Sequence, residues 1–264
     1  MLVLIGTISI LFSIGFFFQM GWATQVWPLQ SSRLSNIFIS SILAAIGAPV
    51  VWIGLSGERR AMVGGALNLL VTNAGFAIST FAFYSRSHQT PLLIFGILSA
   101  IMAVITGTLL FYSHSHEFIN KRPLPWLIRA SFIVFAITLL LTAIALIAQK
   151  PNTFPWPLSG ENSIMYGWIF LGAMCYFLYA TFFPVWSNAR GQLIGFLAYD
   201  LVLIFPFIAH FKDVQPAMLP SLVIYVNVLT YSALLAIYYL FINRSSRFKA
   251  FYRKGLDPAQ QGQH

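Results

Sequence analysis

The stretch from Trp126 to Ala148 reads WLIRASFIVFAITLLLTAIALIA, and its one charged residue is Arg129. A membrane-spanning helix needs about 20 mainly apolar residues, because the hydrocarbon core is roughly 30 Å thick and each helical residue rises about 1.5 Å. This stretch has 23 residues and meets that requirement. It therefore predicts a transmembrane helix.

Seven other stretches of the chain are of comparable length and similarly apolar. They are residues 2–20, 37–55, 61–84, 92–112, 163–183, 192–211 and 218–242. Asp200 is the one charged residue within these seven. The segments between them carry charged residues, proline and glycine, which are typical of loops. The sequence thus predicts an all-α polytopic membrane protein with about eight transmembrane helices.

The composition excludes several classes of protein. Hydrophobic residues make up 58% of the chain and charged residues 8%, and the mean hydropathy is +0.79. An ordinary soluble domain carries about 25% charged residues, so a water-soluble enzyme, a disordered regulator and a nucleic-acid-binding domain are excluded despite the net charge of +9. The single cysteine, Cys175, excludes an internal disulfide and a cysteine metal cluster.

The basic residues predict the orientation in the membrane. With eight spans both chain ends lie on one side, and that side holds 11 of the 15 lysines and arginines. Basic residues concentrate in cytoplasmic loops. We therefore expect a multi-pass protein of the cell membrane, the inner membrane if the source is bacterial, with both termini in the cytoplasm.

Two halves of the chain share short sequence patterns. Trp27-Pro-Leu29 recurs as Trp156-Pro-Leu158, 129 positions later, and Gly65 matches Gly195 at an offset of 130. These landmarks predict two parallel four-helix repeats, residues 1–122 and 123–243, related by an axis along the membrane normal. Coincidence in an apolar chain is the alternative. Anchoring of aromatic rings in the headgroup region also explains the tryptophans without a ligand.

Asp200 is the most informative single residue. It lies about nine residues into the seventh predicted span, near the bilayer midplane, where a charge costs roughly 2.5–3.5 kcal/mol. We expect its carboxyl group to be protonated and hydrogen-bonded, and the expected donors are Asn227, Tyr225 and Tyr231 of the last span. Two interpretations stay open at this point, a substrate-binding or proton-sensing carboxyl and a structural contact between two helices.

Asn68 and Asn73 lie in the third span and supply polar groups from the first half of the chain. With Asp200, Asn227, Tyr225 and Tyr231 they form the candidate intramembrane binding site. No catalytic residue, metal ligand or cofactor is predicted. The sequence has no nucleophile elbow, phosphate-binding loop or His-Glu-x-x-His motif, and no lysine within a span that could hold retinal. The sequence therefore favours a protein without enzymatic activity.

The C-terminal tail is strongly basic. Residues 244–254 contain five cations interleaved with aromatic residues. Such a segment attracts anionic lipid headgroups at about 1 kcal/mol per basic residue, which explains it without nucleic acid. Residues 255–264 are expected to be disordered.

Two functions are compatible with these patterns. The leading hypothesis is an integral membrane protein that binds or transports a small apolar or amphiphilic molecule, with Asp200 at the site. The alternative is an accessory or assembly subunit without catalytic activity, which packs against a membrane protein partner or a second copy of itself. A pocket with polar walls that reaches Asp200 would favour the first hypothesis, and a solid bundle would favour the second.

Overall fold

The computed structural model describes residues 1–243 and Ser246, so the predicted basic tail lies almost entirely outside the described residues. The α-helices are α1 Leu2–Phe17, α2 Gly21–Thr24, α3 Arg33–Ser56, α4 Met62–Ser87, α5 Thr90–His114, α6 Trp126–Ile147, α7 Gly160–Phe182, α8 Trp186–His210 and α9 Leu219–Ile237. Short 3-10 turns precede α4 and α9, and a π-helical turn continues α9 to Ile242.

Among the described residues, seven helices are long and apolar enough to cross a membrane, which confirms the prediction of an all-α polytopic membrane protein. They are α3 to α9, with α4 and α9 extended by their neighbouring turns. The helix α1 is apolar but has 16 residues, which gives a length of about 24 Å. The first of the eight predicted spans, which corresponds to α1, is therefore not one of these seven helices.

A tight turn ends α1 before the predicted boundary at Met20. Gln19 adopts the left-handed conformation with a φ of 54°, and the next N–H donates to the carbonyl group five positions back. The same turn ends α6 at Gln149, also with a φ of 54°. This is the Schellman geometry that commonly closes a helix.

The long helices form two rows of four. In the first row, α1 packs along α3, α3 along α8, and α8 along α9. In the second row, α6 packs along α7, α7 along α4, and α4 along α5. Each row thus combines two helices from the first half of the chain with two from the second half.

Large aromatic side chains fill the space between the two rows. The ring of Phe38 in α3 lies 4.8 Å from that of Tyr166 in α7, measured between centroids. Phe196 in α8 lies 4.7 Å from Phe177 in α7 and 4.8 Å from Phe135 in α6. Aromatic pairs at these distances stabilise a contact beyond their buried area, so the rings join the rows while holding their backbones apart.

The two ends of the bundle are named after Trp27 and Glu58, which lie at opposite ends. The Trp27 end carries the segments 18–32, 88–89, 148–159 and 211–215, and the Glu58 end carries 57–58, 115–125 and 183–185. Both halves of the chain begin their first long helix at the Glu58 end, because α1 starts beside the last turn of α3 and α6 follows residues bonded to Glu58. The halves therefore run in the same direction.

Close contacts between the halves occur in matched pairs. A Cβ atom on Gly172 of α7 would lie 2.6 Å from the backbone oxygen of Asn68, and one on Gly195 of α8 would lie 3.1 Å from that of Ala45. Gly172 is 127 positions after Ala45, and Gly195 is 127 positions after Asn68. The division into residues 1–122 and 123–243 stays a prediction, which these matched contacts support.

The helix starts follow the same offset. The hydroxyl of Ser32 caps α3 by accepting a hydrogen bond from the backbone N–H of Ser35. Ser159, 127 positions later, caps α7 in the same way by accepting from the backbone N–H of Asn162. Serine is a favoured capping residue, because its hydroxyl satisfies a free N–H of the first turn. The segment after Trp27 is two residues longer than the segment after Trp156, so the tryptophans repeat at 129 and the helices at 127. At the offset of 127, Gly195 pairs with Asn68, whereas the sequence comparison pairs it with Gly65.

The two tryptophans of the repeated motif join the halves to each other. The indole N–H of Trp27 donates to Asn162 Oδ1, and that of Trp156 donates to Ser35 Oγ, both at 3.0 Å. Trp27 is 8% exposed and Trp156 is 3% exposed. Both side chains are thus part of the core, which argues against their role as headgroup anchors.

Candidate functional site

A cavity of about 350 Å³ lies between the two rows of helices. Its wall is mainly apolar and is built by α3, α4, α6, α7, α8 and α9. The polar side chains that line it are Asn68, Thr72, Thr138, Thr142, Thr153, Tyr176, Gln192, Tyr199, Ser221, Tyr225 and Ser232. The aromatic pairs hold the rows apart around this cavity, and binding sites are commonly found between the helices of a bundle.

Gln192 provides an acceptor without a partner in this wall. Its side chain is 1% exposed, and its Nε2 donates to the carbonyl oxygen of Tyr176 at 2.7 Å. Its Oε1 is buried and has no hydrogen-bond partner among the described residues. A buried acceptor left unpaired costs about 1–3 kcal/mol, so a ligand that donates a hydrogen bond here would be stabilised.

Sequence analysis missed Gln192 for a physical reason. The hydropathy pattern starts the seventh span at Gln192, which would put its amide at the membrane surface. The helix α8 in fact begins at Trp186, in a polar sequence that is nevertheless buried against the other half of the chain. Gln192 is consequently almost two turns inside the helix.

Two tyrosines meet at the cavity wall. The hydroxyl groups of Tyr199 in α8 and Tyr225 in α9 are hydrogen-bonded to each other. The ring of Tyr225 also packs 5.1 Å from that of Phe207. Tyr225 was predicted as a site residue, and the structure places it in the cavity wall, where it contacts Tyr199 instead of donating to Asp200.

Asp200 lies behind the cavity wall, and its partner differs from the prediction. The side chain is 1% exposed, and its Oδ1 accepts from the hydroxyl of Ser232 at 3.0 Å. Ser232 lines the cavity, whereas Asp200 does not. The Oδ2 atom has no partner among the described residues. Asp200 thus contacts the cavity indirectly, through the hydroxyl of Ser232.

The prediction that Asn227 or Tyr231 donates to Asp200 is wrong. Asn227 is exposed and donates to the carbonyl of Val223 in its own helix, and the hydroxyl of Tyr231 contacts that of Ser131 at 2.6 Å. Residues 225, 229 and 232 share one face of α9, because they follow the helical spacing of three and four. Asn227 is two positions from Tyr225 and therefore points elsewhere.

The structure separates the two asparagines of the first half. Asn68 lines the cavity, and its Oδ1 accepts from Thr72 at 3.3 Å. Asn73 is not part of the wall and donates to the carbonyl of Leu69 at 2.7 Å. At the offset of 127, Asn73 is the counterpart of Asp200. Both counterparts thus lie outside the wall.

A second carboxyl group is buried at the Glu58 end. Glu58 is 4% exposed, although it lies in one of the polar segments between the predicted spans. Its Oε1 accepts from the N–H of Ile119 at 2.9 Å, and its Oε2 accepts from the hydroxyl of Ser187 at 2.8 Å. These bonds join the loop after α3 to the loop before α6 and to the start of α8. Glu58 therefore closes this end of the bundle.

In the part of the chain that the structure describes, no group of three histidine, cysteine, aspartate or glutamate side chains could hold a metal ion. Comparison of the chain with protein-family models, with curated proteins and with solved structures finds no match. The geometry of the cavity is therefore the basis for inferring a function.

Asp200 is expected to stabilise the contact between α8 and α9 because its side-chain Oδ1 accepts from Ser232. Asp200→Asn keeps an acceptor for Ser232 and should leave the thermal midpoint in detergent nearly unchanged. Asp200→Leu removes the acceptor and should lower stability by roughly 0.6–2 kcal/mol, the range for polar contacts between membrane helices. Equal losses in both variants would mean that an ionised carboxylate is required.

Proposed function

We propose that this integral membrane protein binds a small amphiphilic molecule in the cavity between its two rows of helices. The observation that carries the proposal is Gln192 in a mainly apolar wall, with its buried Oε1 lacking a hydrogen-bond partner among the described residues. The apolar chain of such a molecule would pack against most of the wall. A hydroxyl or amide group on that chain would pair with Gln192.

The size of the cavity fits this class of ligand. Its volume of about 350 Å³ is within the range of roughly 300–1,000 Å³ for small-molecule sites. Along α9 the wall extends from Ser221 to Ser232, which corresponds to about 16 Å of helix. A site of this length and modest volume favours an elongated molecule over a compact one.

The polar groups favour binding over catalysis. Tyr199 and Tyr225 are paired with each other, Ser232 donates to Asp200, and Asn68 accepts from Thr72. Among these pairs, Ser232 and Asp200 combine a hydroxyl with a carboxyl group, but no described residue binds the other carboxyl oxygen of Asp200. The third group that orients the base in a catalytic site is thus missing among the described residues. Polar groups fixed in this way can orient a ligand. Transport of the ligand is a further step of the same proposal, since it needs the site to open.

The role of Gln192 is tested with two matched probes, a straight-chain alcohol that carries a fluorescent conjugated polyene and the methyl ether of the same alcohol. The alcohol can donate to Oε1 and the ether cannot. The unmodified protein should bind the alcohol about tenfold more tightly, the equivalent of about 1.4 kcal/mol for one buried hydrogen bond.

Gln192→Met supplies the control, because methionine keeps the length of the side chain without the amide. The preference for the alcohol should disappear in this variant, while the ether binds equally to both proteins. A preference of the same size in both proteins would contradict the assigned contact. Absence of binding by either probe to the unmodified protein would contradict the class of ligand.

A further inference from the structure

A second cleft opens on the outside of the bundle between α6 and α9. It has a volume of about 370 Å³ and is lined by Leu127, Ser131, Val134 and Thr138 of α6, among others, and by Asn227 and Tyr231 of α9. The helix α6 packs along α7 and α9 along α8, so these two helices face each other across the gap between the rows. The cleft is therefore an opening in the side of the molecule.

This cleft adjoins the cavity and shares part of its wall. Phe135, Thr138 and Val228 belong to the walls of both. The outer rim faces the lipid, since Val134 is 61% exposed and Leu127 is 51% exposed on helices that span the membrane. If these shared wall residues moved apart, a molecule dissolved in the bilayer would reach the cavity without crossing the aqueous phase.

Polar contacts within the cleft are unusual for a lipid-facing surface. Tyr231 is 44% exposed, and its hydroxyl bonds to that of Ser131 across the cleft at 2.6 Å. The ring of Tyr231 also packs 6.0 Å from that of Phe135, which separates cleft from cavity. One hydrogen bond between membrane helices contributes about 0.6–2 kcal/mol, so this contact can close the gap and still open readily.

From this geometry we infer that the α6–α9 cleft is a lateral entrance for the ligand, and that the ligand is a single-chain amphiphile dissolved in the membrane. The inference rests on the proposed function, because it assigns a route to the same cavity. The chain enters between Phe135 and Val228, and its donor group proceeds to Gln192. The bond between Ser131 and Tyr231 opens as the chain passes.

The test blocks the cleft without altering the cavity. Val134 lines the cleft but not the cavity, so Val134→Trp should obstruct the entrance alone. Leu141→Trp is the matched control, because Leu141 is 63% exposed on the same helix and lines neither space. The protein is reconstituted in phosphatidylcholine nanodiscs, and association of the polyene alcohol is followed by stopped-flow fluorescence with direct excitation of the polyene.

Val134→Trp should slow association about tenfold or more and slow dissociation equally, so that the dissociation constant stays unchanged. Leu141→Trp should bind as fast as the unmodified protein. Val134→Phe, a milder obstruction, should give an intermediate rate and serves if the tryptophan variant does not fold. Equal rates in all variants would overturn the inference, whereas failure of the unmodified protein to bind would overturn the proposed function itself.

Discussion

Replacing Gly172 with leucine is expected to destabilise the bundle by about 3 kcal/mol or more, which exceeds the usual cost of an overpacked core. A Cβ atom at this position would lie 2.2 Å from Thr72 Oγ1 and 2.6 Å from the backbone oxygen of Asn68. A backbone oxygen cannot move aside as a flexible side chain can. The substitution must therefore push α4 and α7 apart.

The consequence reaches the cavity as well as the fold, because Asn68 and Thr72 belong to the cavity wall. Gly65→Leu is the matched control, since a Cβ atom on Gly65 meets no atom within 4 Å. The thermal midpoint in detergent, followed by tryptophan fluorescence, should fall strongly for Gly172→Leu and hold or rise slightly for Gly65→Leu. Equal midpoints would show that the helices are not in close contact at Gly172.

Most of the fold follows from hydropathy alone. The predicted stretch 126–148 and the observed α6, Trp126–Ile147, differ by one residue, because apolar length is nearly sufficient to define a helix in a bilayer. The first span differs more, because a left-handed turn at Gln19 ends α1 three residues before the predicted boundary. Glutamine carries no strong signal for that conformation, so the turn could not be predicted from the residue type.

Sequence patterns could not predict which helices pack against each other. The tryptophan motifs predict two similar halves at an offset of 129, whereas the helix starts and close contacts follow an offset of 127, because the connecting segments differ in length. Hydropathy does not indicate which helices are neighbours. Small residues at close contacts, such as Gly172 and Gly195, are the signal that could have done so.

The candidate site was predicted in part. Asn68 and Tyr225 line the cavity, and Asp200 is buried beside it. The position of a residue within its span predicted its depth in the bundle, but not the direction of its side chain. Asn227 and Tyr231 line the outer cleft for this reason. Glu58 was missed because its burial depends on Ile119 and Ser187, which are distant in sequence.

The central claim is that the cavity holds a ligand, and filling it should have the largest effect on function. Ala173 lines the cavity from α7, so Ala173→Phe should place a ring where the ligand lies. Ala82 is exposed on α4 and does not line the cavity, so Ala82→Phe adds the same ring on the outside. Both variants should fold, since one fills a void and the other faces lipid.

The most direct measurement is mass spectrometry of the molecules that copurify with the three proteins in detergent. The unmodified protein and Ala82→Phe should carry the same elongated amphiphile with a hydroxyl or amide group, in near-stoichiometric amount, and Ala173→Phe should carry almost none of it. The same molecules in equal amounts on all three proteins would contradict the claim, because binding would then be independent of the cavity.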